Sequence, residues 1–181
     1  MFLSLIFGLI ISSSGSNMNN WPKYTELEQF YGKFRLGADG YPTESWKKEF
    51  LTKIEPPYPM FLAWDTAKQV RTIRCHKLVA DSLSRILQNI ADKFYGRYTE
   101  SRVNLFGGVY EFRRVSGSAK LSLHAYGAAI DFDPERNGRG VPYDGGINMI
   151  SPVVVDIFKA EGWKWGGDFS NPDCMHFEAA S

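Results

Sequence analysis

Two short stretches carry the residue types that could hold a metal ion. In the first, His124 and Asp131 stand seven residues apart, and Asp131 lies on a segment that alternates like a strand. There Ala129, Asp131 and Asp133 would share one face, with Ala128, Ile130 and Phe132 on the other. With His124 on the preceding loop and Gly127 letting the chain turn, imidazole and carboxylate could converge on one ion, since zinc accepts both donors at similar distances. The second stretch, Asp173-Cys-Met-His176-Phe-Glu178, supplies His176. It would complete a His, Asp, His set and leave a fourth position for water. A histidine taken alone is more often structural than a ligand. Here two of the chain's three histidines lie beside carboxylates and glycines, whereas His76 sits at the edge of a helical pattern and reads as structural.

The elements that must position these residues are legible in part. A short amphipathic pattern runs through Tyr24, Leu27, Phe30 and Tyr31 and predicts one small helix, followed by a loop over 37–42. Residues 60–64 and 70–75 read as two short strands joined by a turn around 65–68. From Lys77 to Phe94, apolar residues Leu78, Val79, Leu83, Ile86, Leu87, Ile90 and Phe94 recur every three or four positions, and Gly96 follows as a stop. This is the main core helix. Residues 107–113 read as a strand feeding the first motif. Residues 131–138 superficially suggest a calcium loop, but Arg136 and Pro142 stand where the EF-hand pattern requires Gly and Glu. The stretch 134–146 is instead an excursion over the site that forms part of its rim. Ser151 and Pro152 cap and begin a second helix that Gly162 ends, with Val154, Val155, Ile157 and Phe158 facing the sheet.

The segment 117–134, followed by Glu161-Gly-Trp-Lys-Trp165-Gly-Gly and then by 173–178, resembles the zinc peptidases of bacterial cell walls. That group contains the D-alanyl-D-alanine carboxypeptidases and L-alanyl-D-glutamate endopeptidases. Its signature is Ser-x-His, then Asp seven residues after the His, and later an acidic residue three before a second His. Both halves are present in order, and the resemblance extends over roughly residues 22–179. It implies an α+β fold, a small antiparallel sheet packed against a few helices, with zinc in a cleft on the sheet. It further implies a zinc-dependent hydrolase of peptidoglycan stem peptides, holding Zn2+ through His124, Asp131 and His176.

Within that reading Asp173 is the general base and acid, because a carboxylate beside a zinc-activated water can take its proton and later deliver it to the leaving amine. Arg113, eleven residues before His124, matches the family's substrate-binding arginine, and with zinc would stabilise the developing oxyanion. Arg114 is its competitor, since adjacent strand residues face opposite ways. Ser122 and Glu178 read as supports of the ligands, Glu178 sharing a strand face with His176. Ser122 as a nucleophile would need a base not committed to metal, and only His76 is left. Trp165 is expected to pack beside the metal or, alternatively, to meet substrate. Asp168, directly after the Gly-Gly turn, is a rival carboxylate better suited to capping its loop.

A formal net charge of +1 gives no electrostatic case for nucleic acid. The expected partner is a peptidoglycan stem peptide, with the chain a monomer. Cys75 and Cys174 form no Cys-x-x-Cys pair, so a thiolate zinc site is unsupported, and a disulfide would require the fold to bring them together. Residues 1–17 read as a signal peptide or a non-native extension with Met18 as the start, leaving 18–181 as a single peptidase domain. The apolar run from Phe2 to Ile11 falls short of the roughly 20 residues a spanning helix needs. The first reading of the N-terminus places the protein in the periplasm or outside the cell; the second keeps it cytoplasmic until release, as in a phage lysin. A zinc-binding recognition module that has lost hydrolysis is the competing function, although the presence of Asp173 and Arg113 argues against it.

Overall fold

The computed structural model describes residues 20–181, so the N-terminal apolar run and both readings of it lie outside the described residues. In chain order the elements are α1 (Leu27–Tyr31), α2 (Glu44–Phe50), β1 (Leu51–Ile54), β2 (Phe61–Leu62), β3 (Asp65–Gln69), β4 (Ile73–His76), α3 (Lys77–Lys93), β5 (Leu105–Gly108), α4 (Leu123–Tyr126), β6 (Ala129–Phe132), α5 (Pro134–Asn137), α6 (Pro152–Ala160), β7 (Lys164–Trp165) and β8 (His176–Glu178). Six strands form a sheet in the order β3-β2-β5-β6-β8-β7, while β1 and β4 make a separate antiparallel pair. Every pairing in the large sheet is antiparallel except β2 with β5. The expected α+β class, a small sheet against several helices, is what the chain adopts.

Helix α3 forms where the three-to-four spacing placed it. Val79, Leu83, Ile86, Leu87 and Ile90 are buried, and the helix packs on β1, β4 and α6. Leu78, counted in the apolar stripe, is 53% exposed because it lies off the face that its neighbour Val79 buries. His76 caps the helix: its Nδ1 accepts from the Leu78 amide at 3.1 Å, and its Nε2 reaches the Tyr31 carbonyl at 2.9 Å. A carbonyl can only accept, so Nε2 carries the proton and the ring is a neutral structural imidazole. Helix α6 starts on Ser151, whose hydroxyl accepts from the Val153 amide, and Phe158 from this helix stacks on Phe177 of β8 at 4.0 Å. Full burial of such a ring contributes about 2–3 kcal/mol, which holds the apolar side of β8 against the core.

The strands were less predictable. The two expected strands, 60–64 and 70–75, meet only at their ends, where Val70 N donates to Met60 O at 2.9 Å, and 65–68 is not their turn. Instead β2 turns back at Ala63 and Trp64 into β3, while β4 leaves for β1. The expected strand over 107–113 ends at Gly108, where φ is +127° and the chain departs from the sheet. Beyond it the backbone bonds to the α4 segment: Glu111 N donates to His124 O at 3.0 Å and Ser122 N to Arg113 O at 3.1 Å. Asp133 also leaves the face proposed for it. The strand stops at Phe132, and Asp133 turns left-handed (φ 44°) with both carboxylate oxygens 3.2 Å from Arg136 Nη1. That guanidinium occupies the carboxylate a calcium loop would have used. No helix among the described residues is long and apolar enough to cross a membrane.

Candidate metal centre and its cleft

Strand β6 sets Asp131 directly across from His176 on β8. The alternation of the pleat then puts Ile130, Phe132 and Phe177 into the core and Asp131, His176 and Glu178 on the other face. His124 arrives differently from the loop position expected of it. It sits in the single turn of α4, capped by Ser122, whose Oγ accepts from the His124 amide at 3.2 Å. Gly127 ends that turn in the left-handed region (φ +71°), and a Cβ there would come within 3.0 Å of the His76 amide nitrogen. Only glycine brings the chain from α4 into β6 this closely under β4.

The result is a tight cluster of three buried donors. Asp131 Oδ1 is 2.8 Å from His176 Nδ1, Asp131 Oδ2 is 3.1 Å from His124 Nε2, and the two imidazole nitrogens are 3.2 Å apart. The opposite edge of each ring is already committed. His124 Nδ1 lies 2.7 Å from the Val109 carbonyl, and His176 Nε2 lies 3.1 Å from Glu178 Oε2. Those acceptors fix one proton on His124 Nδ1 and one on His176 Nε2, so the facing nitrogens, His124 Nε2 and His176 Nδ1, present lone pairs to each other only where a metal ion replaces the further proton that would otherwise bond to Asp131. Lone pairs at that separation repel unless a cation lies among them.

The electrostatics have the same sense. Burial resists ionisation of Asp131, yet its hydrogen bonds to His124 and His176 hold it well below the usual carboxylate range. Burial likewise resists a charge on His176, but Asp131 and Glu178 push its pKa up to about 10. Glu178, also buried, is kept ionised by His176 first and Tyr24 second. The pocket therefore draws positive charge, as a proton or as a metal ion in its place. His124, Asp131 and His176 could hold such an ion.

The cluster opens into a cleft of about 1220 Å³. His176 and Glu178 lie on its wall, with His124 and Asp131 buried behind them. Asp173 lines the same cleft. It begins the turn that leads into β8, with His176 N donating to Asp173 O at 3.0 Å and Asp173 N to Gly166 O at 2.9 Å. Gly166 permits that approach, since a Cβ there would lie 2.2 Å from the Asp173 carbonyl oxygen. Burial raises the Asp173 pKa, and the Asp131 charge adds to this while His176 and Arg139 oppose it. Asp173 Oδ1 is buried with no hydrogen-bond partner among the described residues. Such an atom costs about 1–3 kcal/mol unless water or a ligand reaches it.

Arg113 and Arg114 both line the cleft, from a segment that pairs with its neighbour only through the isolated antiparallel bridge Arg114–Leu121. Arg113 Nε pairs with Glu111 at 3.0 Å, and the Arg114 guanidinium donates to the Ala119 carbonyl. Lys33, Lys120 and Arg139 add further positive charge to the walls. Arg139 reaches the rim because the excursion is tied down: Asp173 bridges Arg139, and Gly140 N donates to Pro172 O. Trp165 departs from its expectation. Its register partner is Phe177, on the core side of the sheet, and its indole donates to the Cys174 carbonyl at 2.9 Å. It braces the Asp173 turn from behind and does not reach the cleft. Phe169, 6.2 Å from the His176 ring, is the aromatic that stands there instead. Asp168 pairs with Lys159 at 2.7 Å, and Cys75 and Cys174 are both free thiols.

Residues 116–179 match the model of a family described as D-alanyl-D-alanine carboxypeptidase, in agreement with the resemblance read from the motifs. The match takes in Ser122, His124, Asp131, Asp173, His176 and Glu178 and begins after Arg113. Comparison with curated proteins and with solved structures finds no match.

Proposed function

We propose that this protein is a zinc-dependent peptidase that hydrolyses peptidoglycan stem peptides, at a D-Ala-D-Ala or an L-Ala-D-Glu bond. The observation that carries the reading is the convergence of His124 Nε2, Asp131 and His176 Nδ1 within 2.8–3.2 Å of one another, each imidazole held by a partner on its far side. Two nitrogens and a carboxylate with a cleft on one side are the donor set of a catalytic zinc site that leaves a position for solvent. When bound there, the ion would polarise the scissile carbonyl and make water a competent nucleophile at neutral pH.

The remaining work falls to the chain itself. Asp173, raised by burial and with one oxygen unpartnered, accepts the proton of the attacking water and returns it to the leaving amine. Arg113 supplies hydrogen bonds to a substrate carboxylate or to the carbonyl as charge develops. The cationic walls at Lys33, Arg114, Lys120 and Arg139 suit stem peptides, which carry several carboxylates, and disfavour neutral all-L peptides. The protein acts as a monomer in the compartment where peptidoglycan lies, reached by export or by release on lysis.

The test is incubation of zinc-loaded protein with purified peptidoglycan and with short peptides containing D-Ala-D-Ala or L-Ala-D-Glu, followed by mass analysis of the fragments. Release of D-Ala or cleavage before D-Glu supports the proposal and tells the two bonds apart. Zinc-loaded protein that releases nothing from any of them overturns hydrolysis and leaves a recognition module.

A further inference from the structure

The hydrogen bonds behind His176 do not stop at Glu178. Glu178 is 5% exposed and uses both carboxylate oxygens: Oε2 takes the His176 Nε2 proton at 3.1 Å, and Oε1 accepts from the hydroxyl of Tyr24. Tyr24 stands 154 positions earlier in the chain and outside the residues that match the family. The segment around it is fastened to the end of the same strand: Tyr31 OH donates to Ala179 O at 2.6 Å and Ser181 N to Pro22 O at 2.9 Å. On its ring face Tyr24 meets the Lys164 ammonium at 4.8 Å, and Lys164 is the register partner of Glu178.

We propose that Tyr24 is a positioning residue of the metal centre, acting through Glu178 to fix the orientation and tautomer of His176. The inference rests on the metal reading above. A carboxylate with one oxygen unpaired can rotate about its last bond, and the imidazole it holds rotates with it. With Tyr24 on Oε1 the carboxylate plane is fixed, Nε2 of His176 keeps its proton, and Nδ1 remains aimed at His124 and Asp131. Groups that bond a ligand directly, as Glu178 does, typically change metal affinity by about 10–100-fold, and Tyr24, one bond further out, falls at the low end of that range. Tyr24 itself is 46% exposed, so losing its hydroxyl removes little from the core.

Cobalt(II) is the probe, because its visible absorption reports ligand geometry without turnover. Affinity is measured by chelator competition for the intact chain, Tyr24→Phe, Glu178→Ala and the double variant, with melts of the metal-free proteins alongside. The expected result is about tenfold weaker binding and an altered cobalt spectrum for Tyr24→Phe, an unchanged metal-free melt, and no added loss from Tyr24→Phe in the Glu178→Ala background. Should Tyr24→Phe not fold, Tyr24→Leu removes the same hydroxyl and is read in the same way. An intact chain that binds no cobalt overturns the metal reading and this inference together. Binding by the intact chain that Tyr24→Phe matches in affinity and spectrum, or a loss that persists undiminished without Glu178, overturns this inference alone.

Discussion

His76 and His176 are both buried, and both engage partners through each ring nitrogen, yet they are held in opposite states. His76 lies between a backbone amide that donates to Nδ1 and a backbone carbonyl that accepts from Nε2, which suits one neutral tautomer. Burial, aided by the Lys77 charge and opposed by the Tyr31 carbonyl, lowers its pKa to about 4. His176 lies between two carboxylates, with a second imidazole nitrogen 3.2 Å away, and its pKa is pushed up to about 10. Burial does not separate a structural histidine from a ligand, since it is common to both. What separates them is whether the second nitrogen meets a backbone group that completes it or other lone pairs that require a cation.

The sharpest way to break this contrast is chemical. Asp173→Ala leaves all three ligands in place and should keep the metal and the fold while turnover falls by at least about a hundredfold. Near-normal turnover would move the general base to Asp168, which its ion pair with Lys159 disfavours. Arg113→Lys should lower hydrolysis of stem peptides by about tenfold with metal retained, because an ammonium cannot make the paired hydrogen bonds of a guanidinium. Arg114→Lys should be milder, since the resemblance puts the substrate contact on Arg113. Equal effects would show that the two arginines work as a pair.

The His76 side of the contrast is tested by pH. Its folded pKa of about 4 lies below the unfolded value near 6.5, so below pH 6.5 the unfolded chain gains a proton that the folded one refuses. The stability it contributes is present above pH 6.5 and is lost as pH falls towards 4, by at most about 3 kcal/mol. His76→Asn, which keeps a capping side chain, should remove that part of the acid sensitivity in denaturation curves. An unchanged slope between pH 6.5 and 4 would contradict the neutral assignment. Gly127→Ala should be destabilising by about 1–2 kcal/mol, from the left-handed φ and the approach to the His76 amide, as read by melting of the metal-free protein.

The convergence of His124, Asp131 and His176 was readable because each half of the motif is local, Asp131 following a glycine turn on an alternating segment and His176 alternating with Glu178, while the meeting of the two halves across β6 and β8 was implied by the resemblance. The long helix α3 was readable for the same reason, its stripe being many residues long. What was not readable was set by distant partners. The strand expected over 107–113 alternates well enough, yet Gly108 takes it out of the sheet and its hydrogen bonds go to α4. Residues 65–69 are polar and mostly exposed, which reads as a turn, but they form an edge strand whose side chains have little to bury. Trp165 sits beside the motif in sequence and behind it in space, because its partner across the sheet is Phe177. Tyr24 read only as part of an amphipathic pattern, and nothing linked it to the metal centre, since only the folded chain brings it to Glu178.

The measurement that bears most directly on the account is zinc content after metal loading and gel filtration, compared across the intact chain, His76→Asn, His124→Ala and His176→Ala. One zinc per chain is expected for the intact protein and for His76→Asn, and loss of zinc when either His124 or His176 is removed. Full zinc occupancy in a variant lacking both His124 and His176 would contradict it.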